Sequence, residues 1–153
     1  MTNELVGNLY LFRTLSADQI AWIGRLASTQ RHTPGSVLFR QGDKANGLYI
    51  IKQGTITIQS QTQSEENKIA TLRSGAHFGE ISLLTGDVRT ATATAIENSE
   101  LLMLSYDRLK KLLEDQPLIG ARVYKAMAQF LSGRLVQTTG DLTFVREKLR
   151  ERA

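Results

Sequence analysis

Cysteine is absent from this chain of 153 residues, which removes a disulfide framework, a thiolate zinc site and a cysteine nucleophile at once. That usage suits a reducing compartment. No stretch approaches about 18 consecutive apolar residues, and the opening MTNELVGN has neither a basic region nor an apolar core behind it. Neither a membrane span nor an export signal is expected, and the expected location is the cytoplasm. The only histidines, His32 and His77, lack the paired spacing of a barrel metal site, so each reads as a turn or rim residue and no metal is expected. No Gly-x-Ser-x-Gly nucleophile elbow occurs, and the chain is not expected to be an enzyme. A surface of one sign is missing too. The net charge is +4, but the basic residues are interleaved with acids, which reads as a mixed solvated surface.

What is present suffices for one globular domain with a real core, since 41% of the residues are hydrophobic and 22% charged. Residues 1–33 read as an N-terminal helical segment. In LSADQIAWIGRLAS, Ser16 and Gln19 form a capping-box pattern, and Ile20, Ile23 and Ala27 follow at helical spacing, which predicts a helix from Ala17 to Ser28. Pro34-Gly35 then opens a turn.

Residues 34–105 have strand character. SVLFRQ, LYIIKQ, TITIQS, KIATL, TATATAI and ELLMLS are short, rich in Val, Ile, Leu, Tyr and Thr, and separated by glycine-containing turns. With no helix between most of them, they predict a mainly β fold with flanking helices: an antiparallel β-roll of the jelly-roll kind. Gly35, Gly42, Gly47, Gly54, Gly75 and Gly86 are all placed at turns, and QSQTQSEEN is expected to be an exposed hairpin loop.

Residues 106–153 are helical. YDRLKKLLEDQP predicts a helix ending at Pro117. Beyond it Ala121, Tyr124, Ala128, Leu131, Leu135, Thr138, Leu142, Val145 and Leu149 recur in steps of three and four, a heptad seam with one polar member, Thr138. A helix over 118–150 is too long to bury that stripe on a small barrel, so a parallel homodimer is expected. The competing arrangement folds the helix back on its own barrel; Gly133 and Gly140, each costing roughly 1 kcal/mol against Ala, keep it open.

FGEISLLTGDVRTATATA, residues 78–95, carries the chemistry. Gly79-Glu80 is read as the start of a helical turn, whose free backbone N–H groups favour a phosphate, with Arg89 as the forked cation. A carboxylate repels phosphate at close range, so Glu80 is assigned to a donor such as a sugar hydroxyl on the same ligand. A cyclic mononucleotide joins both groups within a few ångströms; other sugar phosphates also satisfy the two contacts.

These residues resemble the phosphate-binding cassette of the cyclic nucleotide-binding domain family, and PGSVLFRQGDKANGLYIIKQGTITI resembles the first half of its β-roll. The likeness runs from about Leu11 to Leu142, with the cassette at 78–91. It implies that Gly79 and Ala91 offer backbone N–H groups to the cyclic phosphate, Arg89 pairs with its charge, Thr90 adds a hydroxyl donor, and Glu80 accepts the ribose 2′-hydroxyl. Ile81 and Ser82 complete the implied ligand set; Ser82 replaces a usual Ala, and Val88 a frequent Pro. Thr90 resembles guanine-selective sites, although bacterial adenine-binding members also carry a hydroxyl there. RLVQTTGDL, residues 134–142, resembles the dimer helix of the catabolite activator (cAMP receptor) branch, where a hydroxyl pair meets the adenine amine; the matching positions are Thr138 and Thr139. The ligand implied is cAMP, with cGMP the alternative.

Those relatives continue into a helix-turn-helix DNA-binding domain, whereas this sequence ends at FVREKLRERA. Arg146, Lys148, Arg150 and Arg152, with Glu147 and Glu151, read as a solvated helix end, so direct DNA binding is not expected. Met1 suggests a full-length chain. The expectation is a stand-alone sensor that signals through its C-terminal helix to a separate effector protein; a dimeric scaffold that binds no nucleotide is the reading from another class.

Overall fold

The computed structural model describes residues 1–61, 67–80, 82–86 and 88–152. Two short helices, α1 (Thr2–Gly7) and α2 (Ala17–Gly24), flank a single 3-10 turn at Tyr10–Phe12. Among the described residues eight strands follow: β1 (Ala27–His32), β2 (Val37–Phe39), β3 (Gly47–Gln53), β4 (Thr55–Gln61), β5 (Asn67–Arg73), β6 (His77–Phe78), β7 (Thr92–Ala95) and β8 (Ser99–Ser105). Between β6 and β7 lies the four-residue helix α3 (Ser82–Thr85), and the chain ends in α4 (Tyr106–Asp115) and α5 (Pro117–Arg152). The strands form two antiparallel sheets of four, in the orders β1-β8-β3-β6 and β2-β7-β4-β5. This is the expected β-roll with flanking helices.

The central strands are covered on both faces, which explains why GLYIIKQ and SELLMLS are apolar runs and not alternating ones. Leu48 and Ile50 of β3, with Leu102 and Leu104 of β8, face the helices, packing with Phe12, Ile23, Leu109 and Val123. Their neighbours Tyr49, Ile51 and Leu101 face the opposite sheet and pack with Ile56, Phe78, Ala93 and Ala95. Large and small residues meet across the second sheet, where Ile56 pairs with Ala95 and Ile58 with Ala93.

Four sequence expectations are corrected. The capping box at Ser16 and Gln19 forms, with both reciprocal hydrogen bonds, but α2 stops at Gly24 and does not reach Ser28. Residues 27–32 are strand β1 because β8 offers an edge, pairing Ala27 with Leu104 through to His32 with Ser99; long-range pairing overrides the local helical pattern. Gly47 is not a turn residue. It opens β3, where an added Cβ would stand 2.6 Å from Met103 Sδ, so close packing and not backbone conformation calls for glycine. The helical turn of the cassette begins at Ser82, not at Gly79. The expected hairpin loop QSQTQSEEN, 59–67, is strand at its ends, since Gln59–Gln61 belong to β4 and Asn67 to β5; the rest of it, 62–66, lies outside the described residues.

Ser105 caps α4, its hydroxyl accepting from the Arg108 N–H, and α4 buries Tyr106, Leu109 and Leu113. Helix α5 turns Ile119, Val123 and Met127 into the same core. It meets α4 so closely that a Cβ on Gly120 would lie 2.6 Å from the Leu113 carbonyl oxygen. The heptad seam is a different face of α5: Tyr124, Leu135, Leu142, Val145 and Leu149 are all exposed. Every residue from Ser132 to Arg152 is exposed as well. Among the described residues no helix is long and apolar enough to cross a membrane.

Candidate functional site

The chain leaves β6 at Phe78 and turns at Gly79, whose φ of 93° is a conformation that residues with a Cβ rarely adopt. A Cβ there would also stand 2.7 Å from Arg89 Nη1 and 3.0 Å from the Gly47 oxygen. Glycine thus lets the cassette backbone lie directly against Arg89. The main chain of Arg89 is pinned by two hydrogen bonds: its N–H donates to the Asp43 oxygen at 2.7 Å, and its carbonyl accepts from the Gly42 N–H at 2.8 Å.

The Arg89 side chain is 3% exposed. Its Nη2 donates to the Gly47 carbonyl at 2.7 Å and more weakly to Asn46 Oδ1 at 3.4 Å, and Nη1 donates to the Tyr106 hydroxyl at 3.3 Å. The guanidinium carbon stands 4.1 Å from the centre of the Phe39 ring, a cation–π contact. Among the described residues no carboxylate lies within salt-bridge distance of it, and its Nε has no partner. A buried cation without a counter-charge is costly, and this one offers an unused donor to an anion.

Around Arg89 lie two adjoining depressions of about 90 and 240 Å³ that share Phe78, Gly79, Ser82 and Thr90. Arg89 and Ala91 line the first and Glu80 the second. Glu80 lies 3.9 Å from His77 Nε2 and its side chain is 13% exposed. Six of the expected residues, Gly79, Glu80, Ser82, Arg89, Thr90 and Ala91, are therefore gathered at one concavity; Ile81 lies outside the described residues. Thr138 and Thr139 line neither depression and stand on the exposed part of α5. A depression of about 340 Å³ elsewhere includes Arg31 and Glu100, but its charges are already matched, Glu100 bridging Arg31 and Lys52.

Sequence reasoning missed two tyrosines. Tyr106 donates its hydroxyl to the Gly79 carbonyl and receives Arg89, and burial raises its phenol pKa against the opposing pull of Arg89. Tyr10 stacks on Phe130 of α5 with ring centres 4.1 Å apart and packs against His77 at 5.6 Å. Among the described residues its buried hydroxyl has no partner; burial first, then the Glu80 carboxylate, push its pKa to about 12, against the pull of Arg134.

The cyclic nucleotide-binding domain profile matches residues 29–116, more than half of the chain and inclusive of the whole cassette. The chain belongs to the cyclic nucleotide-binding domain family. The domain is 32% identical over 120 residues to a protein described as a potassium channel of Rhodopseudomonas palustris, a match covering 78% of this chain and 29% of that one. It is 29% identical over 122 residues to the cyclic AMP receptor protein of Thermus thermophilus, covering 79% of this chain and 56% of that one. The crystal structure of the Thermus thermophilus catabolite activator protein superimposes with a TM-score of 0.75 at 27% identity, over 90% of this domain and 63% of that chain. The domain thus spans less than two thirds of each of these relatives.

Proposed function

We propose that this domain binds cAMP in preference to cGMP and passes its occupancy, through α5, to a separate effector protein. The observation that carries the reading is the buried Arg89, which lies against Gly79 and, among the described residues, has no carboxylate partner and an unpaired Nε. A singly charged cyclic phosphate supplies the missing anion, with the N–H groups of Gly79 and Ala91 and the Thr90 hydroxyl as further donors. Glu80 takes the ribose 2′-hydroxyl, which separates the carboxylate from the phosphate. Preference for adenine rests on Thr138 and Thr139, which a single chain leaves exposed. A second copy packed in parallel along the exposed seam covers that stretch and delivers a threonine to each base. Signalling is then a population shift between two arrangements of α5, bounded by the difference in nucleotide affinity between them.

Calorimetric titration of the wild type and Arg89→Gln with cAMP and cGMP tests the proposal. Loss of a charged hydrogen bond worth about 1.5–3 kcal/mol weakens cAMP binding at least about tenfold in the variant. Tighter binding of cGMP reverses the base assignment, and no binding of either nucleotide by the wild type replaces the sensor with a scaffold.

A further inference from the structure

Both ends of the cassette meet at one oxygen atom. The Tyr106 hydroxyl donates to the carbonyl of Gly79, where the cassette begins, and accepts from Nη1 of Arg89, ten positions further on. A hydroxyl has one proton to give and two lone pairs to receive, so the proton points at the Gly79 oxygen and the lone pairs are left for the guanidinium and for the Ser82 side chain, which also hydrogen-bonds it. The residue is 4% exposed, and its ring also lies beneath the guanidinium, with the carbon 5.7 Å from the ring centre. Its backbone is held independently of the cassette, because its N–H donates to the Asn46 carbonyl at 3.0 Å and it is the first residue of α4, behind the Ser105 cap.

The geometry points to Tyr106 as a positioning residue of the nucleotide site. Its hydroxyl sets the distance between the Gly79 main chain and the Arg89 guanidinium, the two groups that must converge on one phosphate. The Gly47 carbonyl and the Phe39 ring also hold the guanidinium, and the Gly47 oxygen abuts Gly79, but the Tyr106 hydroxyl hydrogen-bonds both Arg89 and the Gly79 carbonyl. Losing the hydroxyl leaves Arg89 buried and cationic yet free to turn about those remaining contacts, and it frees the Gly79 peptide to rotate. Tyr106 is not assigned any contact with the ligand. The inference rests on the cyclic nucleotide reading above, and its test is built so that the two fail separately.

The test is a double-mutant cycle read as cAMP dissociation constants of the whole chain: wild type, Tyr106→Phe, Arg89→Lys and the double variant. Phenylalanine keeps the ring and its packing and removes only the oxygen; lysine keeps the charge, so binding remains measurable, but cannot reproduce the guanidinium fork. Tyr106→Phe is expected to weaken cAMP binding about tenfold in the wild-type background and by no more than about threefold beside Arg89→Lys. A structural role alone lowers affinity by the same factor in both backgrounds, so equal factors overturn the inference. So does a Tyr106→Phe variant that binds as the wild type does, with the nucleotide reading left intact. Absence of cAMP binding by the wild type removes that reading, and this inference with it.

Discussion

Helix α5 is one continuous helix with two unlike halves. As far as Met127 it inserts Ile119, Val123 and Met127 into the core, each no more than 2% exposed. Past Phe130 it carries Leu135, Val136, Leu142 and Leu149 at 53–72% exposure, and among the described residues none covers them. The same helical period produces both halves; only what lies alongside differs. The contrast teaches that apolar periodicity reports that a face is to be covered, and not by what. The first half is an anchor that belongs to the β-roll, and the second is a surface whose cover we propose to be another copy of itself.

The largest expected effect exploits that contrast directly. Met127→Ala opens a cavity in the core and should cost about 2–5 kcal/mol of unfolding free energy, whereas Leu142→Ala should change the stability of the isolated chain by less than about 0.5 kcal/mol. Denaturant melts at low protein concentration measure both; a similar loss at the two positions would mean that the second half is packed after all. Next is Gly79→Ala, which forces a Cβ into a conformation with φ of 93° and against Arg89. About 1–3 kcal/mol of destabilisation is expected, readable in the same melts, and an alanine tolerated without loss would show that the cassette end is looser than the anchored end of α5. The smallest effect has the opposite sign. Tyr10→Phe keeps the stack on Phe130 and deletes a buried hydroxyl that has no partner among the described residues, so it should raise stability, by up to about 1 kcal/mol. Tyr10 stands at the boundary between the two halves, and a loss of stability there would place its hydroxyl in the polar network of the cassette.

Legibility followed the range of the interactions. The β-roll was readable because β3 and β8 are short apolar runs and β4 opens on alternating Thr and Ile, all between turns, and the end of α4 because Pro117 acts on the residues just before it. Strand β1, with the polar sequence ASTQRH, was not readable: it is a strand because β8 lies beside it, and periodicity contains no record of a neighbour that distant. The cassette residues were found because Gly79, Glu80 and Arg89 sit within one segment. The groups that hold Arg89 were not, since Gly47 lies 42 residues away and Tyr106 17, and Tyr106 bonds Gly79 across 27. An aromatic residue opening a helix directly after an apolar strand was the sole local hint. The buried, inward pose of Arg89 has no sequence signal at all.

The tight crossing at Gly120 has a mechanical consequence. With no room for even a methyl group between α5 and the Leu113 carbonyl, the two helices cannot slide past each other without parting, so the crossing acts as a fulcrum. From Gly120 to Arg152 the arm is about 48 Å long at 1.5 Å per residue, and a tilt of about 5° at the crossing sweeps its tip through about 4 Å. A displacement too small to break a hydrogen bond at the grip becomes one large enough to change which side chains face each other at the far end.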